Sequence, residues 1–176
     1  MGAERAHPAD RGAGASPAAN PAHWPPFWRD LLRRTPPRPA LLWTYPGLGF
    51  DLDGHADAAH RDFLRRLLGD MAMPKGSHAF WPFDRQGPDA DGPTPPESVD
   101  AAHFFDGVAV LKPDTVLLLT GTPPPGLGLD HLRPLQPALV GGRRFVLMPH
   151  VDRLVHEQGQ YVKLITFLKA LLGPRG

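Results

Sequence analysis

The chain has 176 residues, a formal net charge of +1 at pH 7, 41% hydrophobic residues and no cysteine. This length and apolar content suffice for one domain with a hydrophobic core. The near-neutral charge argues against a strongly basic DNA-coating protein, and the lack of cysteine excludes disulfides, thiolate metal sites and a cysteine nucleophile.

The start of the chain lacks the pattern of a membrane or secretory segment. Residues 1–22 are rich in Ala, Pro and Gly and are predicted to be a disordered tail. Arg5, Asp10 and Arg11 interrupt any apolar stretch there, which argues against a signal peptide or an anchor, and no later run reaches 18 apolar residues. We therefore expect a cytoplasmic protein with no membrane partner.

Residues 23–35 are predicted to form a short amphipathic helix. Pro25 and Pro26 suit a helix start, and the apolar residues that follow recur at steps of three and four. Two interpretations are open: the helix covers one edge of the core, or it docks into the groove of a protein partner. The residues of this candidate docking face are Trp24, Phe27, Trp28, Leu31 and Leu32.

Residues 38–174 are predicted to form one α/β domain. Apolar runs of strand character alternate with amphipathic helices, and continuous apolar strands are typical of a parallel sheet covered on both faces. We therefore predict a three-layer sandwich with a short four-stranded parallel sheet flanked by helices. The predicted strands are 40–45, 77–83, 114–121 and 143–149, and the predicted helices are 57–71, 98–111 and 160–173, with loops at 84–97 and 122–142.

Polar residues follow the first and last predicted strands. In a parallel sheet the ligand crevice lies beyond the carboxyl ends of the strands, so loops 46–56 and 149–156 should meet there. Asp51 and Asp53 are either a solvated pair or carboxylates of that crevice, and His150 is either structural or a site residue. The nine histidines are scattered without metal-pair spacing, so we expect no metal site and no cofactor.

Two passages, "FFDGVAVLKPDTVLLLTG" and "VLMPHVDRLVHEQGQYVKLITFLKALL", resemble the uracil-DNA glycosylase superfamily, over roughly residues 40–172. The resemblance implies a base flipped into a pocket, an aromatic stacker, a carboxylate that positions water and a histidine facing the leaving base. It assigns water positioning to Asp51 or Asp53 and the leaving group to His150. The implied base-binding or ligand-binding residues are Pro46, Gly47, Phe50, Trp81 and Phe83.

The sequence departs from this pattern in its polar residues. The only asparagine is Asn20, so the base-reading amide expected after strand two is missing, and "FWPF" stands there instead. Tyr45 also occupies a position where the backbone should approach the ligand. The stretch "PKGSHAFWPF" resembles the psi subunit of the bacterial clamp loader, a non-catalytic protein of the same superfamily shape.

The resulting expectation is a catalytically degenerate glycosylase-like module that binds a protein partner, through residues 23–35, or nucleic acid in DNA metabolism. The alternative is an active base-excision glycosylase that hydrolyses the N-glycosidic bond of a flipped base. A third reading is a small-molecule-binding or nucleotide-binding protein of unrelated ancestry, because a fold does not determine a function.

Overall fold

The computed structural model describes residues 20–85 and 99–173. Most of the predicted tail (1–19), most of the predicted loop 84–97 and residue 174 lie outside the described residues. Five strands form one sheet: β1 (Leu41–Thr44), β2 (His78–Phe80), β3 (Thr115–Leu118), β4 (Ala138–Val140) and β5 (Arg143–Leu147). Their order in the sheet is β2-β1-β3-β5-β4.

The four predicted strands pair in parallel, with Leu41 opposite both His78 and Thr115. The fifth strand, β4, is antiparallel to β5 at the outer edge. It lies inside the predicted loop 122–142, so the expectation of a purely parallel sheet is corrected to a mixed sheet. Gly141 and Gly142 make the tight connection to β5 at φ of 56° and 77°, a region that favours glycine.

Six helices accompany the sheet in the described part of the chain. Two of the predicted helices begin on an aspartate cap, since the side chain of Asp57 accepts from the His60 N–H and that of Asp100 from the His103 N–H. The helices are α1 (Pro26–Arg34), α2 (Leu48–Phe50, a single turn), α3 (Ala58–Asp70), α4 (Ala101–Leu111), α5 (Val151–His156) and α6 (Gln158–Leu172). The α/β class is therefore confirmed, whereas α2 and α5 were not predicted.

The helices cover both faces of the sheet. Alternate residues of each central strand point to opposite sides, so that Leu42 packs with α1 and α4. Leu41 and Trp43 pack on the other side with α3, α5 and α6. None of the helices within the described residues combines the length and the apolar character needed to cross a bilayer.

Helix α1 is part of the core and not a free docking face. Trp24, Trp28 and Leu31 are 5%, 0% and 4% exposed, and Phe27 and Leu32 are half-buried against the same cluster. The structure therefore favours the core-covering interpretation, because these side chains are already occupied by the domain itself. The end of the predicted tail is also structured, since Pro21–His23 form one 3-10 turn that Asn20 caps.

Trp81 and Phe83 are core residues as well, which corrects their assignment as ligand-binding residues. Both are buried, and the Trp81 indole N–H donates to the His103 carbonyl at 3.1 Å. Helix α4 approaches this ring so closely that a Cβ added to Gly107 would lie 2.0 Å from the indole. The Trp81 ring therefore packs under the helix and does not line a ligand crevice.

Candidate functional site

Loops from three parallel strands meet at the carboxyl edge of the sheet. The Gly121 N–H donates to the Met148 carbonyl at 2.9 Å, and the Val151 N–H donates to the Leu119 carbonyl at 3.0 Å. These bonds hold the loop after β5 beside the end of β3. The loop after β1 joins the same edge through side chains on α3 and α5, described next. We call this edge the rim.

The Asp51 carboxylate is bound on both of its oxygens. Oδ2 accepts from the Tyr45 hydroxyl at 2.8 Å and lies 3.4 Å from Nδ1 of His60, whereas Oδ1 accepts from the Asp57 N–H at 3.3 Å. Burial, together with the neighbouring Asp51, raises the pKa of Tyr45, so its hydroxyl stays a donor. Asp51 therefore acts as a hub that ties the loop after β1 to the start of α3.

His60 bridges the two loops. Its Nε2 lies 2.8 Å from Oδ1 of Asp152 on α5, while its Nδ1 faces Asp51. The hydrogen bond to Asp51 and, less, that to Asp152 raise the pKa of His60 to about 9, against the effect of burial. Asp152 is nearer, but its side chain is 62% exposed and Asp51 only 11%, so solvent screens Asp51 far less. His60 is thus an imidazolium at neutral pH.

His150 is the N-cap of α5. Its Nδ1 accepts from the Asp152 N–H at 3.2 Å, which satisfies one of the free donors at the helix start. This contact requires the tautomer with the proton on Nε2, leaving an Nε2–H donor on a half-buried ring. Its backbone lies against Gly121, where an added Cβ would approach the His150 Cβ to 3.3 Å. The structure therefore places the candidate histidine at the rim with a structural bond of its own.

Phe50 and Asp53 lie on the same loop and are both exposed. The Phe50 ring is 38% exposed and lies parallel to the His55 ring, with centroids 4.3 Å apart and planes at 13°. Asp53 lies at a kink before Gly54, whose φ is 96°. Exposed aromatic rings in this arrangement are platforms on which nucleobases stack.

Pro46 and Gly47 shape the start of the loop. Gly47 has a φ of 84° and is the cap residue of the α2 turn, and Pro46 is half-buried beside it. The Gly47 N–H donates to Oδ2 of Asp84 at 3.0 Å. The predicted role of both residues in binding a ligand directly stays a prediction, since the contact that the structure shows is with the protein itself.

Asp84 is a residue that sequence reasoning missed. It is fully buried three residues after Trp81, and burial raises the pKa of its carboxyl to about 6, although the N–H groups of Gly47 and Gly49 act in the opposite direction. A Cβ on Gly49 would lie 2.0 Å from the Asp84 carbonyl, so the α2 turn sits directly on this residue. The available signal was a carboxyl immediately after "FWPF", the place where an amide was sought.

The rim therefore contains a buried hub of carboxylates and histidines beside an exposed aromatic ring. Among the described residues, no group of three or more His, Asp and Glu side chains could hold a metal ion. Comparison with models of known protein families and with curated proteins found no match.

Proposed function

We propose that this chain is a glycosylase-like module that binds nucleic acid by holding an unstacked base at the rim, without hydrolysing the N-glycosidic bond. The sequence resemblance supports the class, and the mixed α/β sheet with loops gathered at its carboxyl edge is compatible with it. The protein-partner alternative through residues 23–35 loses its support because those side chains belong to the core.

A contrast within one loop carries the proposal. Phe50 leaves much of its ring open to solvent, as a base-stacking surface requires. The next residue, Asp51, is 11% exposed and accepts hydrogen bonds on both carboxylate oxygens, one of which also faces the His60 cation. A carboxylate neutralised in this way is a weak base, because the cation and the hydroxyl favour its ionised form. The loop thus keeps a binding element and ties up the element that hydrolysis would need.

The binding half of the proposal is tested by fluorescence anisotropy of a labelled single-stranded oligonucleotide. Phe50→Ala should weaken binding by about 1–3 kcal/mol, the usual contribution of one stacked base. Leu139→Ala is the matched control, because Leu139 is a 78% exposed apolar side chain on β4 at the outer edge of the sheet. Absence of binding by the wild-type chain, or equal loss in the two variants, would refute base stacking at Phe50.

The non-hydrolytic half is tested by incubating the chain with uracil-containing DNA and measuring free uracil. We expect no release above the protein-free control. Release that disappears when Asp53→Asn is combined with His150→Ala would instead establish the active-glycosylase alternative. That outcome would identify the exposed carboxylate of Asp53, and not Asp51, as the residue that positions water.

A further inference from the structure

Three buried polar atoms lie unpaired at the carboxyl ends of three neighbouring strands. Oγ1 of Thr44 ends β1, Oδ1 of Asp84 follows β2 and Oγ1 of Thr120 follows β3. None of them has a hydrogen-bonding partner in the part of the chain that the structure describes. A buried polar atom without a partner costs free energy, so proteins rarely keep one without a reason such as a bound water or a ligand.

The strand register places these atoms on one side of the sheet. Thr44 pairs with Leu118, and Thr120 is two residues further along, so both follow the alternation of Leu118. Leu118 belongs to the layer under α1 and α4, as does Phe83, the residue before Asp84. The three atoms therefore converge beneath the α2 turn, where the loop carrying Phe50 leaves β1.

Their chemistry is selective. One oxygen of Asp84, Oδ2, already accepts from Gly47, so Oδ1 is the atom left for a ligand. An ionised carboxylate oxygen only accepts hydrogen bonds, whereas threonine hydroxyls donate or accept. Cytosine presents the N4 amino group as a donor at the position where uracil presents the O4 carbonyl, an acceptor. Oδ1 matches the first group and repels the second.

We infer that Asp84, with Thr44 and Thr120, forms the inner wall of the base site and selects bases with an exocyclic amino group, such as cytosine, over uracil. This inference rests on the proposed nucleic-acid-binding function and names the class of base that the site accepts. Asp84 is wholly enclosed in the ligand-free structure, so the α2 turn that Gly47 anchors to it must move outward as the base enters.

The test compares the affinity for oligodeoxycytidylate with that for oligodeoxyuridylate of the same length. The wild-type chain should bind the cytosine strand roughly tenfold more tightly, the contribution of one hydrogen bond to a charged group. Asp84→Asn should reverse this preference, because the amide can donate to O4 of uracil while its oxygen still accepts from Gly47. Retention of the fold is checked by circular dichroism and by the melting temperature.

A second variant keeps the inference testable if Asp84→Asn does not fold. Thr120→Val, which preserves shape and removes the hydroxyl, should weaken binding of the cytosine strand with little change in melting temperature. Equal affinity for both strands, or an unchanged preference in Asp84→Asn and in Thr120→Val, would overturn the inference and indicate buried water at these atoms. If Phe50-dependent binding persists in that case, the proposed function stands; if no strand binds, both fail.

Discussion

Replacing His60 by glutamine should remove a contribution to stability that depends on pH. The two flanking carboxylates raise the pKa of His60 from 6.5 to about 9 in the folded chain. A shift of one pKa unit corresponds to about 1.4 kcal/mol, so protonated His60 stabilises the fold by about 3 kcal/mol. Little discount for solvent applies to the ring itself, because its side chain is only 15% exposed.

The direction of the effect follows from proton linkage. The folded state binds the His60 proton more tightly than the unfolded state, so the contribution is complete below the unfolded pKa of 6.5. It declines as the pH rises and disappears above about 9, where the folded ring also loses its proton. The free energy of unfolding of the wild type, relative to His60→Gln, should therefore fall by about 3 kcal/mol between about pH 6 and pH 10.

Urea unfolding at several pH values measures this difference. His131→Gln is the control, because His131 is an exposed histidine in the loop before β4 and outside the cluster. Subtracting the variant from the wild type removes the titration of other groups. A difference between wild type and His60→Gln that stays constant from pH 6 to pH 10 would refute the two-carboxylate bridge.

The two carboxylates can be separated by NMR titration of the His60 ring. Asp51→Asn should lower the pKa of His60 more than Asp152→Asn does, because Asp51 is buried and Asp152 is mostly exposed. Added salt should further reduce the contribution of Asp152 and leave that of Asp51 largely unchanged. Equal effects of the two substitutions at low salt would contradict this ranking.

The remaining predictions concern packing and are measured by the free energy of unfolding in urea. Gly107→Ala should destabilise the fold by about 1–3 kcal/mol, because the new Cβ would meet the Trp81 indole at 2.0 Å. Gly69→Ala on α3, where no atom lies within 4 Å of the added Cβ, should instead stabilise it by up to about 1 kcal/mol. Trp28→Ala should cost about 3–5 kcal/mol and exposed Arg29→Ala less than about 0.5 kcal/mol; similar values for the two would show that α1 is not core.

The layered fold could be predicted because its signal is local. Central strands such as Thr115–Leu118 are continuous and apolar, and α3 and α4 each begin on a capping aspartate. Strand β4 escaped prediction because only three residues pair, and its outward residue Leu139 is exposed. A strand so short differs little in sequence from a loop, and its pairing depends on the glycine turn that follows it.

The rim was harder to predict because its contacts join distant parts of the chain. His60 and Asp152 are 92 residues apart, and Gly47 and Asp84 are 37 apart. The sequence pointed to Asp51 and His150 by their place after strands, but it could not show that Asp51 is bound on both oxygens. The periodicity of residues 23–35 likewise predicted an apolar helix face without indicating what that face contacts.

The distribution of the four tryptophans provides each side of the sheet with its own optical reporter. Trp24, Trp28 and Trp81 lie in one layer, with ring centroids 5.3–6.0 Å from Trp81, close enough for their excited states to couple. Trp43 is alone in the opposite layer, under α3 and α6. Near-ultraviolet dichroism therefore follows the first layer, while emission from a chain that retains only Trp43 follows the second, so the loosening of either layer can be observed separately.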